Sequence, residues 1–324
     1  MKMGQKKAFV TGANGFLGAN LVRELVSTGW EVTAFHRASS DLWRLKGLDI
    51  HLAEGSFQNP ASVEGSLPEN IDAVFHLAAR VSFWRGDDQL MERDNVEATR
   101  TIVNAAILRK VRRFIHTSTV SAYGFSDSRV DESFPKDGIK SGLGYMRTKA
   151  LAESVVLDGM TRGLDAVILN PANVLGPLDS EHWGTSMQKV KEGKMPAAPP
   201  GSSSFAHVTE VAKAHISAVQ SGKKGENYIL AGTDASYLDV FVIMEEILGV
   251  RHKIKAAPKM ALKSYGLVSQ LISNFTRRAP YVTPELVRWL SSGMSYDSRK
   301  AIAELGYQPK TIQQMLKDCW ASLN

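Results

Sequence analysis

Tyr145 and Lys149 stand four residues apart in the strongly helical stretch Tyr145-Met146-Arg147-Thr148-Lys149-Ala150-Leu151-Ala152-Glu153, so they share one helix face. A tyrosine at its free pKa of about 10 is a poor acid-base catalyst at neutral pH, but an ammonium one turn away favours the phenolate and lowers that pKa. The phenol can then exchange a proton with a substrate oxygen. Some 26 residues before Tyr145 lies Thr119, inside the hydroxyl-rich segment Thr117-Ser118-Thr119-Val120-Ser121-Ala122-Tyr123-Gly124. Hydroxyls clustered at the end of a strand can bind a carbonyl oxygen. Tyr-x-x-x-Lys alone is common on helix surfaces, and its weight comes from its surroundings.

The first of those surroundings is Thr11-Gly12-Ala13-Asn14-Gly15-Phe16-Leu17-Gly18, placed between the apolar run Ala8-Phe9-Val10 and a stretch with helical apolar spacing. Gly12 and Gly15 allow a tight turn and close approach to a pyrophosphate, Gly18 lets the helix pack close to the strand, and the helix N-terminus faces the anion. The spacing Gly-x-x-Gly-x-x-Gly departs from the Gly-x-Gly-x-x-Gly fingerprint, and an unliganded Gly-rich turn is the competing reading. A second strand, Glu31 to Phe35, ends at His36-Arg37-Ala38-Ser39-Ser40. A reader of NAD places a carboxylate there, on the ribose. The cation and hydroxyls here suit a 2′-phosphate, so the expected cofactor is NADP(H), against a merely solvated Arg37. Arg44 is either a second phosphate partner or a surface residue.

At 324 residues, with 44% hydrophobic and 22% charged residues, the chain has the size and composition of a soluble enzyme with a well-buried core. No apolar run is long enough to span a bilayer, and the basic start Met1 to Lys7 is followed by too short an apolar run for a signal peptide. The single cysteine, Cys319, cannot pair within the chain and fits a reducing cytoplasm, the expected location. A net charge of +6 without a Lys/Arg block points to anionic small molecules and no nucleic acid. No metal-ligating cluster is read.

Alternating strand-like and helix-like pieces between Gly18 and Pro171 predict an α/β chain with a parallel sheet and crossover helices. Further strands are expected at Asp49–Glu54, Ile71–Ala79 and Arg112–Thr117. A turn at Asn59-Pro60-Ala61-Ser62 leads into a short helix, and a crossover helix runs from about Arg93 to Arg109. His76, inside an apolar strand, reads as a hydrogen-bonded core residue in preference to a catalytic one. The loop with Phe83 and Trp84 lines a substrate pocket or simply covers the surface.

Taken in order, these motifs resemble those of the extended short-chain dehydrogenase/reductases, the NAD-dependent epimerase/dehydratase family. The glycine motif is Thr11 to Gly18, the fourth-strand motif His76-Leu77-Ala78-Ala79, the Ser/Thr segment Thr117 to Gly124, the catalytic pair Tyr145 and Lys149, and the turn after the sixth strand Asn170 to Pro177. Arg37, Ser39 and Phe83-Trp84 make the chain look most like the dihydroflavonol-4-reductase-like branch. The resemblance implies a Rossmann-type doubly wound sheet over residues 1–177 with return segments in 205–232. A smaller, mostly helical substrate-binding part would comprise 178–204 and 233–324. It implies that Thr119 or Ser118 holds the substrate oxygen, that Tyr145 transfers its proton, and that Lys149 binds the nicotinamide ribose and lowers the Tyr145 pKa. Cofactor contacts carried over by position are Gly12, Asn14, Gly15, Phe16, Leu17, Arg37, Ser56, Phe57, Leu77, Ala78, Ala79, Lys149, Pro171 and Val174. Gly55-Ser56 stands where many members have Gly-Asp, which puts the adenine contact in doubt. Val120-Ser121 stands where the dehydratases carry Asp-Glu, which argues against dehydration.

After Pro177 a loop-like tract through Trp183, Gly193 and Met195 to Gly201 is expected, then a helix capped by Thr209, a strand at Asn227–Leu230, and helices from Leu238 onward. Met260 to Arg278 is amphipathic; such a stripe is more often core or pocket lid, and contact with a membrane surface is the lesser reading. The leading expectation is an NADPH-dependent reductase of a bulky, apolar ketone or aldehyde, or the reverse dehydrogenase, acting as monomer or homodimer. The alternatives are a nucleotide-sugar epimerase that retains its cofactor and a non-catalytic dinucleotide sensor.

Overall fold

The computed structural model describes residues 5–276, 278–280 and 282–323, so Met1 to Gly4 of the basic N-terminus and Arg277 of the amphipathic segment lie outside the described residues. In chain order the first half comprises β1 (Lys7–Thr11), α1 (Phe16–Ser27), β2 (Glu31–His36), β3 (His51–Glu54), α2 (Pro60–Ser66), β4 (Ala73–His76), α3 (Asp88–Met91), α4 (Ala98–Leu108), β5 (Arg113–Thr117), α5 (Gly144–Thr161) and β6 (Ala166–Pro171). The second half adds β7 (Asn173–Leu175), α6 (Trp183–Lys191), β8 (Ser202–His207), α7 (Val208–Ser221), β9 (Asn227–Leu230), β10 (Thr233–Ser236), α8 (Tyr237–Leu248), α9 (Lys259–Thr276), α10 (Pro284–Leu290), α11 (Arg299–Leu305) and α12 (Ile312–Ala321).

Seven strands form one parallel sheet in the order β3-β2-β1-β4-β5-β6-β9, with the order reversing beside β1. Alternation within β1 shows why both faces are covered. Ala8 and Val10 join Leu21 and Leu25 of α1 and Val211 of α7 in one cluster, whereas Phe9 joins Ile102 and Val103 of α4 and Val156 of α5 in the other. This is the Rossmann-type arrangement, and it brings the C-terminal ends of β1, β4 and β5 to one edge, where a ligand crevice forms at the reversal. A second sheet, β10-β8-β7, packs with α6, α8 and α12 around Phe205, Tyr237, Phe241 and Met315.

Several local expectations are corrected. β4 stops at His76, because Leu77 to Ala79 leave the ladder. The crossover helix is preceded by a π-turn over Glu92–Glu97. Asn170 to Pro177 is not a simple turn but contains the end of β6 and all of β7. Trp183–Lys191 is a helix within the expected loop. The cap of α7 is His207, whose ring accepts from Thr209 N, so Thr209 is the capped residue. The apolar stripe of α9 is neither core nor inward-facing lid: Leu267, Leu271 and Phe275 are 60%, 60% and 89% exposed. Among the described residues, no helix is long and apolar enough to cross a membrane.

Candidate active site

Where β1 hands over to α1, Gly12 has φ +68°, and a Cβ there would lie 2.7 Å from Ala78 N. At Gly18 a Cβ would lie 2.0 Å from Gly12 O, so the helix start is pressed onto the loop. Gly15 occupies the N-cap position of α1 with no side-chain cap, which leaves the first helical amides directed at the crevice. Gly12, Asn14, Gly15, Arg37, Phe57, Leu77, Ala78 and Ala79 line one cleft of about 370 Å³. A cradle that a single Cβ would fill, at a helix N-terminus, fits the pyrophosphate of a dinucleotide.

At the far end of this cleft, Arg37 is exposed and its guanidinium has no hydrogen bond or ion pair among the described residues. Its backbone N–H donates to Ser40 Oγ at 3.1 Å, which folds the tip of β2 into a turn. Arg44 is not a surface residue and does not line the cleft. It is 6% exposed, pairs with Glu181 at 2.9 Å, donates to Ser180 Oγ at 3.0 Å and lies over Trp43, clasping this loop to the segment after β7.

Beside this cleft, the chain just past β5 places Thr119 and α5 places Tyr145, and the Thr119 hydroxyl acts on the Tyr145 phenol. Thr119 Oγ1 donates to Ser121 Oγ at 3.1 Å, making a run of three hydroxyls. Ser121 is a site residue that the sequence reading did not single out, although it stands two residues from Thr119. Ser118 Oγ is buried without a hydrogen-bond partner among the described residues. Burial pushes the Tyr145 phenol above its ordinary value, and the Thr119 bond opposes this. The expected lowering by Lys149 is thus not what governs this phenol: Lys149 Nζ, itself 3% exposed, donates to Thr117 O at 2.7 Å. Burial lowers Lys149 to about 8, with the Glu153 carboxylate pulling it back up.

A buried network fixes the Thr119 backbone. Asn170 Nδ2 donates to Thr119 O at 3.1 Å and to Glu153 Oε1 at 2.7 Å, and Glu153 pairs with Lys136 at 3.0 Å. Lys136 also lies over the Tyr123 ring, 3.4 Å from its centroid. Glu153 is 2% exposed, so Glu153→Ala strands a cation and two amides. We expect a loss of about 3 kcal/mol in unfolding free energy by urea denaturation, with Glu153→Gln losing less.

His76 is the hydrogen-bonded core residue expected, held by Thr11 at 2.8 Å and Thr99 at 2.9 Å and lowered to about 3 by burial and then by Lys149. The Phe83 ring sits 6.1 Å from that of Tyr145 and 5.4 Å from that of Trp289, giving this edge an aromatic wall. Thr283 Oγ1 donates to Phe83 O at 2.8 Å, tying this loop to α10.

Other positions carried over from the resemblance lie off the cleft wall. Phe16 and Leu17 begin α1, Pro171 ends β6 and Val174 lies within β7. Ser56 Oγ is engaged by Gln58 at 2.5 Å, and Gln58, with Phe57, does the lining. His36, Ser40 and Arg80 also line the cleft without having been singled out as contacts; their signal was proximity to the tips of β2 and β4.

The sequence profile of the NAD dependent epimerase/dehydratase family matches residues 8–231. The chain is 33% identical over 317 residues to the sterol demethylase protein B of Methylococcus capsulatus, covering 96% of each chain. It is 32% identical over 321 residues to a Synechocystis protein named as a dihydroflavonol 4-reductase, covering 96% of this chain and 92% of that one. The crystal structure of gox2253 superposes with a TM-score of 0.85 at 31% identity, covering 98% of both chains. With the Gly12 cradle, the hydroxyl run and the Tyr145-Lys149 pair at one sheet edge, these matches establish that the chain belongs to the NAD-dependent epimerase/dehydratase family, the extended short-chain dehydrogenase/reductases.

Proposed function

We propose that this chain is an NADPH-dependent reductase of a bulky, apolar ketone or aldehyde. What carries the reading is the meeting of Thr119 and Tyr145 past the carboxyl end of β5, with the buried Lys149 one helical turn on from Tyr145. The Gly12–Gly15 loop would hold NADP(H) with Arg37 on its 2′-phosphate, and when bound that group would supply a hydride to a carbonyl carbon. The Thr119 hydroxyl, turned from Ser121, donates a hydrogen bond to the carbonyl oxygen, and Tyr145 gives that oxygen its proton. The phenol carries its proton at neutral pH, burial opposes its release, and the Lys149 ammonium one turn away stabilises the phenolate left behind. Phe83 and Trp289 cover the apolar side of the substrate and keep water from the edge.

Because Lys149 titrates at about 8, the ammonium is present below that pH and lost above it. We therefore expect kcat for carbonyl reduction to be flat at neutral pH and to fall as pH rises through about 8. In Lys149→Arg, which keeps its charge, the alkaline limb should move upward even if the plateau is lower. A pH profile of both proteins checks this. The reading as a whole is tested by steady-state oxidation of NADPH and of NADH across a panel of apolar ketones and aldehydes. Substrate-dependent NADPH consumption that exceeds NADH consumption is expected; no consumption across the panel contradicts it.

A further inference from the structure

Helix α9 folds inside out. Its sequence places Met260, Leu267, Val268, Leu271, Ile272 and Phe275 along one stripe, and that stripe faces away from the protein, with Met260 74% and Phe275 89% exposed. Apart from the half-buried Leu262, the face turned inward is made of small and polar residues. Gly266 lies so close to α10 that a Cβ there would be 3.1 Å from Val287 Cγ2, and the buried Ser273 donates its hydroxyl to Arg278 O at 2.7 Å. A surface helix ordinarily buries its apolar stripe, and contiguous exposed apolar area on this scale marks an interaction surface.

Charge identifies the occupant. Between Arg251 and Thr283 the sequence holds seven Lys or Arg residues and no Asp or Glu. A second copy of the chain docked on this face by a two-fold axis would bring two such segments together, and like charges would oppose it. An anionic bilayer surface accepts both features: the stripe enters the acyl boundary while the flanking cations meet lipid phosphates. The helix, 18 residues long and not apolar all round, suits lying on the surface and does not meet the requirement for crossing it.

We infer that α9 docks the protein peripherally on anionic phospholipid membranes, through its outward apolar stripe and the acid-free basic segment around it. Lys259, Lys263 and Leu267 also border a cavity of about 760 Å³ shared with Phe125, Val287 and Arg288, so docking sets the mouth of that cavity against the lipid. An apolar substrate dissolved in the bilayer would reach the protein there. The docking itself is independent of the reaction proposed above.

The test is co-sedimentation of the full chain with phosphatidylcholine vesicles, with and without phosphatidylglycerol, at low and high salt. Binding to the anionic vesicles, weakened by salt, is expected, together with about a tenfold or greater loss in the variant Leu271→Glu/Phe275→Glu. Both replaced side chains are solvent-facing, so circular dichroism should show an unchanged fold. Should that variant misfold, the charge reversal Lys259→Glu/Lys263→Glu gives an independent reading, with loss of anionic-vesicle binding expected. Equal binding to both vesicle types, or undiminished binding by folded variants, overturns the inference. So does self-association that Leu271→Glu/Phe275→Glu abolishes in a protein that ignores vesicles, which would assign the face to a second copy.

Discussion

Tyr145→Phe should lower kcat for carbonyl reduction by about 10²–10⁴-fold, the range that positioned general acids contribute, while leaving NADPH affinity unchanged. The substitution removes one oxygen. The ring stays on α5 beside Phe83, and the Thr119 hydroxyl retains Ser121 at 3.1 Å. The dinucleotide cradle at Gly12 and the Arg37 loop belong to other elements and do not sense the change. Fluorescence titration with NADPH and steady-state kinetics separate the two effects. Full turnover in the variant would remove Tyr145 from the proton-transfer role, and a parallel loss of cofactor binding would make it a positioning residue only.

Arg37→Asp should shift the ratio of kcat/KM for NADPH to that for NADH by about 100-fold or more toward NADH. A hydrogen bond to a charged group contributes about 1.5–3 kcal/mol, equivalent to roughly 10- to 150-fold in affinity. The introduced carboxylate adds repulsion toward the 2′-phosphate and offers NADH the ribose contact that this chain otherwise lacks. Arg37 is free to be replaced: its guanidinium engages no partner among the described residues, and Ser40 holds the turn through the Arg37 backbone. An unmoved ratio would mean that Arg37 is a solvated residue at a strand end.

How far the sequence discloses this molecule depends on the range of the interactions involved. β1, the glycine turn and α1 are contiguous, and their periodicity and turn chemistry state the outcome locally; the strand at Asn227–Leu230 is legible for the same reason. Tyr145 and Lys149 share a helix face by spacing, but the direction of the Tyr145 shift depends on burial by other elements, and Lys149 finds Thr117 O across the fold. Arg44 could not be read, because Ser180 and Glu181 lie more than 130 positions away. The Glu153 network likewise joins α5, β6, β9 and a loop residue, Lys136. Helix α6 is short and rich in Gly, Thr and Ser, so its pattern resembles a loop. In α9 the periodicity gives a stripe correctly but carries no information on which way the stripe points.

Net reduction by hydride transfer, with Tyr145 as acid, is tested most directly by incubating the protein with NADPH deuterated at the transferred position and a ketone it turns over. One deuterium on the carbinol carbon of the product for each NADPH consumed is the predicted result. Cofactor that stays bound and unconsumed while the substrate is merely interconverted with its epimer would contradict it.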